Sequence, residues 1–220
     1  MESDAQSHRD RRPIATRKRK WAQTSAQWLA DHNVSPNAIS IAGMFACIGA
    51  GISLALTSIV YCPLEWLAAA VLVQLRLTAN MLDGMVALNS GRASRVGELY
   101  NEIPDRISDA AVFIGAGFAF GGNITLGYVA TILSIFTAYV RAAGKIAGAP
   151  NEFCGPMAKQ HRMLVITLIA LYSTITPRSW QTIRVGQTAI GLMTLALSII
   201  ILGCVPTVFR RLKRIARALP

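Results

Sequence analysis

Charge is scarce in this sequence, and negative charge is scarcer still. Of 220 residues only 15% are charged, with 11 acids against 22 bases. A soluble domain of this length needs far more polar surface, so a water-soluble globular fold is excluded. Cysteine is limited to Cys47, Cys62, Cys154 and Cys204, scattered without metal-type spacing, and no disulfide framework follows. There are no internal repeats, no low-complexity tract and no polar stretch long enough for a separate soluble domain. A signal peptide is not expected either: the first apolar run begins only after about 36 residues and is too long for an h-region.

Apolar residues are abundant: 53% of the chain is hydrophobic and mean hydropathy is +0.42. Runs of about 20 residues with few charges read as bilayer-spanning helices, because roughly 30 Å of hydrocarbon needs that many residues at helical rise. Six such runs are expected, at about 38–60, 62–82, 107–122, 125–148, 162–176 and 187–208. The net charge of +11 could suggest nucleic acid, but its distribution points to a membrane. Seven of the 22 Lys and Arg precede the first run, four lie between Arg76 and Arg106, four between Arg141 and Arg162, and five after Phe209. Only Arg178 and Arg184 fall on the other side. An even number of spans with both termini cytoplasmic explains this split through the positive-inside rule. The expected fold is therefore an all-α integral membrane protein with six transmembrane helices, in the cell inner membrane, and nucleic acid is not an expected partner.

Residues 1–36 form a basic N-terminal segment, 37–209 the six-helix transmembrane domain and 210–220 a basic cytoplasmic tail. Residues 1–15 are polar and expected to be disordered. From Thr16 to His32, Trp21, Trp28 and Leu29 sit among Arg17, Lys18, Arg19 and Lys20. This pattern predicts an amphipathic interfacial helix on anionic lipid headgroups. Val34-Ser35-Pro36-Asn37 then forms a turn that starts the first span, since Pro forces its predecessor out of helix.

Acids at the edge of a membrane span are costly and are functional candidates by default. Here the chain reads Asn80-Met-Leu-Asp83-Gly84-Met-Val-Ala87 and then Gly97-Glu-Leu-Tyr-Asn101-Glu-Ile-Pro-Asp105-Arg-Ile-Ser-Asp109. Asn80 and Asp83 are i,i+3, while Asn101, Asp105 and Asp109 are i,i+4, so each set shares one helix face. Two facing helices would present five oxygen-bearing side chains to one another, a donor set suited to Mg²⁺ or Mn²⁺. A second cluster follows. Arg141 and Lys145 share a face at the end of the fourth span, and Lys159 and Arg162 open the fifth. Together they could clamp a phosphate. Nearby His161 reads as a structural residue.

The first cluster resembles the signature of the CDP-alcohol phosphatidyltransferases, Asp-x2-Asp-Gly-x2-Ala-Arg-x8-Gly-x3-Asp-x3-Asp. Asn80, Asp83, Gly84, Ala87, Leu88, Gly97, Asn101 and Asp105 fall on its specified positions; five of the eight match and the x8 gap is kept. Val34 to Ser40 also resembles the family's Pro-Asn-x-x-Thr/Ser lead-in, and the likeness covers about 34–165. It implies transfer of a phosphatidyl group from CDP-diacylglycerol to an alcohol with release of CMP. It also implies a divalent ion on Asn80, Asp83, Asn101 and Asp105, with Asp109 a further candidate, and Asp105 as the general base. Asn37, Ser40, Gly84, Ala87, Ser94 and Gly97 would cradle the cytidine nucleotide. Arg141, Lys145, Lys159 and Arg162 would meet the acceptor, whose anionic character is suggested by those four bases. A homodimer is implied as well. Asparagine replaces the first and third aspartates and Leu88 the arginine, so weaker metal affinity and one ion instead of two are expected. Alternatives are a CDP-linked small alcohol with a lipid acceptor, and a non-catalytic CDP-lipid-binding relic.

Overall fold

The computed structural model describes Arg17 and residues 19–92 and 94–219. The stretch 1–15, expected to be disordered, lies outside the described residues, as does Lys18 within the basic run. Among the described residues seven α-helices follow one another: α1 Lys20–Asp31, α2 Pro36–Leu56, α3 Pro63–Asn89, α4 Arg95–Phe118, α5 Ile124–Ile146, α6 Lys159–Ile175 and α7 Leu192–Ala218. Between α6 and α7 stand a 3₁₀ turn, Arg178–Trp180, and an antiparallel hairpin of β1 Thr182–Val185 with β2 Thr188–Gly191.

Among the described residues four helices, α2, α3, α5 and α7, are long and apolar enough to cross a membrane. α4 carries charges through its first turns, and α6 has 17 residues. Large apolar side chains such as Phe45, Ile52, Ile132, Leu168 and Leu202 stand exposed on the helices. Exposure on that scale fits lipid and not water as the surrounding solvent. The chain is a multi-pass membrane protein.

Element boundaries differ from the sequence expectation in ways that matter. α3 runs seven residues past the expected end of the second span, to Asn89, which keeps Asn80 and Asp83 helical. α4 begins at Arg95, well before 107, because Ser94 caps it: the Ser94 hydroxyl accepts from the Gly97 N–H at 3.0 Å. The start of the sixth expected span, 187–191, is hairpin instead, since the two-residue Gly186-Gln187 loop uses a positive φ of 63° at Gly186. At the other end, the segment expected as a tail continues α7 to Ala218. It is held by Arg211, which is buried and donates to the carbonyls of Cys154 and Thr137, and by Ile215, which packs into the space left by Gly144.

α2 is the centre of the bundle and packs against both α3 and α4. It approaches α4 so closely that a Cβ on Gly51 would lie 2.3 Å from the Ala111 carbonyl oxygen, and one on Gly115 2.3 Å from the Gly51 oxygen. Small residues at such crossings let backbones touch where lipid supplies no hydrophobic drive between helices. α5 lies on α4, α6 on α3, and α7 on α5. α1 packs on α3 through Ala22 and Ala26, both fully buried, and leaves Trp21 and Trp28 outward. At the hairpin end Arg178 closes the bundle, stacked on Tyr61 and Phe120 and donating to the Thr57 carbonyl at 2.9 Å.

Candidate active site

Because α2 packs between them, α3 and α4 reach each other through side chains. Asp105 on α4 is the meeting point. Its Oδ1 accepts from Arg76 Nη2 at 2.6 Å and from Lys159 Nζ. Its Oδ2 lies 3.4 Å from Asn80 Nδ2 and 3.6 Å from Arg106 Nη2. Four positive or polar arms, from α3, α4 and α6, thus converge on one buried carboxylate. Pro104, immediately before it, lacks an N–H and so removes one helical hydrogen bond from the turn that joins Asn101 to Asp105.

Asp83 is 3% exposed and is tied to α2: Ser40 Oγ donates to its Oδ2, and the Gly84 N–H donates to Oδ1 at 2.6 Å. Ser40 also accepts, through its carbonyl, from Arg76 Nη1 at 2.9 Å. Asp83, Ser40, Arg76 and Asp105 therefore form one continuous chain of bonds across α2, α3 and α4. Asn101 is half-buried one turn before Asp105. Asp109 is fully buried and pairs with α6: its Oδ2 accepts from Arg162 Nη2 at 2.9 Å and Lys159 Nζ lies 3.8 Å from Oδ1. The expected set of five facing oxygens is thus reduced. Asn80 and Asp105 come together, Asp83 joins them through Ser40 and Arg76, and Asp109 belongs to an ion pair with α6.

Of the residues expected to cradle the nucleotide, Asn37, Ser94 and Gly97 are neighbours at the start of α4. A Cβ on Gly97 would lie 3.3 Å from Ser94 Oγ and 3.9 Å from Asn37 Oδ1. On the α3 side, Arg17 Nη2 comes within 3.7 Å of the place a Cβ would take on Gly84. Leu88, standing where the signature has arginine, is exposed.

The four bases expected to clamp an anion are not gathered into one site. Arg162 is 2% exposed and donates to Asp109, Thr137 and the Met157 carbonyl. Lys159 pairs with Asp105 and Asp109. Arg141 pairs with Glu102 and lies over the Phe153 ring, and Lys145 is exposed one turn further on. Burial explains the difference: a cation inside a bundle must find a carboxylate, and the nearest acids are those of α4.

By sequence alone Arg76 reads only as one of the bases segregated to one side of the membrane. It is 1% exposed and holds the centre of the cluster. Its signal was present: one arginine inside an apolar run, i,i+4 from Asn80 and therefore on the same face. Among the described residues no three His, Cys, Asp or Glu side chains converge as a metal site. Asp83 and Asp105 nonetheless carry carboxylate oxygens and Asn80 and Asn101 amide oxygens, and the two carboxylates are matched in charge by Arg76 and Lys159. The donor chemistry fits a single hard cation such as Mg²⁺ or Mn²⁺.

Known proteins share the sequence pattern and the fold. The inner membrane protein YnbA of Escherichia coli (strain K12) is 28% identical over 154 residues, covering 70% of this chain and 75% of that protein. Phosphatidylinositol phosphate synthase of Mycolicibacterium smegmatis is 31% identical over 142 residues, 62% of this chain and 60% of the relative. The fold matches crystal structures of Mycobacterium tuberculosis phosphatidylinositol phosphate synthase. One, in complex with manganese and citrate, has a TM-score of 0.69 at 20% identity, over 89% of this chain and 88% of that one. Another, with CDP-DAG bound, has a TM-score of 0.68 at 20% identity, over 88% and 92%. With residues 33–209 matching the family's own sequence profile as well, the chain belongs to the CDP-alcohol phosphatidyltransferase family.

Proposed function

We propose that this membrane enzyme moves a phosphatidyl group from CDP-diacylglycerol to a small anionic alcohol, releasing CMP, at the cytoplasmic headgroup level of the inner membrane. The observation that carries the reading is the convergence on Asp105: α3, α4 and α6 aim Asn80, Arg76, Arg106 and Lys159 at one buried carboxylate, on the segment that bears the family signature. Six spans, α2 to α7, belong to the same proposal. The close packing of α4 on α2 and of α6 on α3 supports it, since each pairs with a helix that meets the length and apolarity of a span. The charge segregation between alternate loops supports cytoplasmic termini. The exposed Trp21 and Trp28 on α1 support an interfacial position for that helix. A homodimer, implied by the resemblance, completes the reading.

Asn80, Asp83, Asn101 and Asp105 would hold one divalent ion. When bound, that ion supplies positive charge to the pyrophosphate oxygens of the donor and to the leaving CMP. The protein's own residues do the rest. Arg76 and Lys159 fix Oδ1 of Asp105, so Oδ2 is the oxygen directed to take the proton of the attacking hydroxyl. Ser40 and the Gly84 N–H fix Asp83. Asn37, Ser94 and Gly97 line the nucleotide side, with Ala87 and Gly84 opposite, and the lack of side chain at Gly84 leaves room beside Arg17. Arg141 and Lys145, on α5, meet the anionic group of the acceptor, while Lys159 and Arg162 act through Asp105 and Asp109. A diacyl donor need not leave the bilayer to reach a site at this depth.

Purified protein incubated with CDP-diacylglycerol, Mg²⁺ or Mn²⁺ and a panel of alcohols, with products read by mass spectrometry, tests the reading. CMP release that needs the ion and an acceptor, and is lost in Asp105→Ala, is the expected result. Donor binding without turnover on any acceptor would refute it.

A further inference from the structure

We propose that Arg76 is a built-in cation of the active site that limits it to one divalent ion. The inference rests on the transferase reading for its setting and deepens it. Arg76 leaves α3 in a run that is otherwise apolar, yet it is 1% exposed, and space is reserved for it. A Cβ on Gly43 of α2 would lie 2.8 Å from its Nη1 and 3.0 Å from its Cδ, so any larger residue at 43 would collide with the side chain. The guanidinium crosses from α3 to α4, donating to Asp105 at 2.6 Å, and touches α2 by donating to the Ser40 carbonyl at 2.9 Å. Ser40 in turn donates to Asp83. One planar, permanently charged group therefore holds Asp105 directly and reaches Asp83 through Ser40. Its Nε–H is buried and faces no protein acceptor.

The charge of the cluster follows. Asp83 and Asp105 contribute two negative charges and Arg76 and Lys159 two positive ones; Arg106, 3.6 Å from Asp105, is shared with Glu102, and Asp109 is paired with Arg162. A first divalent ion enters a set with no net negative charge; a second would meet a net charge of +2, and the neighbouring acids Glu102 and Asp109 are already matched by Arg106, Arg141 and Arg162. Asn80 is one turn from Arg76 on the same face and donates toward Asp105, as a neutral amide can and a carboxylate cannot. Amides at 80 and 101 and a guanidinium at 76 are in this view one coordinated arrangement. The fixed cation stands where additional acids would otherwise call for additional metal.

The test counts ions directly. Mn²⁺ is titrated into the purified full-length protein without donor or acceptor, and free Mn²⁺ is followed by electron paramagnetic resonance. The wild type is expected to bind one ion, and the triple variant Arg76→Met/Asn80→Asp/Asn101→Asp two. Asn80→Asp or Asn101→Asp alone, with Arg76 kept, should tighten the single ion by about tenfold without adding another. Two ions bound by the wild type, or by either single aspartate variant, overturn the proposal. So does a folded triple variant that still binds one. If the triple variant does not purify as a single species, the aspartate variants decide by themselves, since they leave every bond of Arg76 in place. Failure of the transferase reading is a separate outcome: CMP release would be missing in every variant while the ion counts remained as expected.

Discussion

Asp109 was a candidate metal ligand by its spacing, and the structure gives it a different task that thermal unfolding can measure. Its side chain is fully buried and pairs with the buried Arg162 at 2.9 Å; Lys159 stands 3.8 Å away. Replacing Asp109 with Asn keeps the shape but removes the charge, which leaves Arg162 buried with only the Thr137 hydroxyl and the Met157 carbonyl as strong partners. Breaking one side of a buried pair costs about 3–5 kcal/mol, and the amide oxygen retains part of the bond, so about 3 kcal/mol is expected. For a chain of this size that corresponds to a fall in Tm of roughly 6–12 °C. The measurement is unfolding in detergent with chelator present, followed by the fluorescence of the four tryptophans. Asp109→Leu/Arg162→Met should recover most of the loss, because apolar replacement of a whole buried pair is often neutral. A Tm for Asp109→Asn within about 2 °C of the parent in chelator, with weakened Mn²⁺ binding, would show that Asp109 holds the ion and that its bond to Arg162 is incidental.

Three further outcomes are expected. Gly51→Leu places carbon against the Ala111 carbonyl at the tightest crossing of α2 and α4; strain at or above the usual 1–3 kcal/mol of overpacking should abolish the single peak in size-exclusion chromatography. Leu88→Arg restores a donor that the signature carries, and should lower the KM for CDP-diacylglycerol by about tenfold, the worth of one charge-assisted hydrogen bond; an unchanged KM would place position 88 away from the nucleotide. Arg141→Gln should raise the KM for an anionic acceptor by about tenfold with little change in kcat, and leave a neutral alcohol unaffected; equal effects on both would mean that its pairing with Glu102 is structural.

Much of this protein could be read from its sequence, because in a membrane the solvent itself constrains the pattern. A helix must satisfy its own backbone, so long apolar runs announce helices, and bases collect on one side of them. The i,i+3 and i,i+4 spacing of Asn80, Asp83, Asn101 and Asp105 likewise survives folding, since it depends only on helical geometry. The hairpin at Thr182–Gly191 and the helical continuation past Phe209 were not legible, because each is decided by partners distant in sequence: Gly121, whose backbone packs against Gly191 and whose carbonyl accepts from Thr194, and Gly144 and Thr137 beneath the end of α7. The pairing of charges was decided by tertiary structure alone. Nothing in the order of residues tells Arg162 to choose Asp109, or Arg76 and Lys159 to share Asp105. Those choices follow from the narrow crossing of α2 with α4, made possible by Gly51 and Gly115, and from the cost of leaving a buried charge without its counterpart.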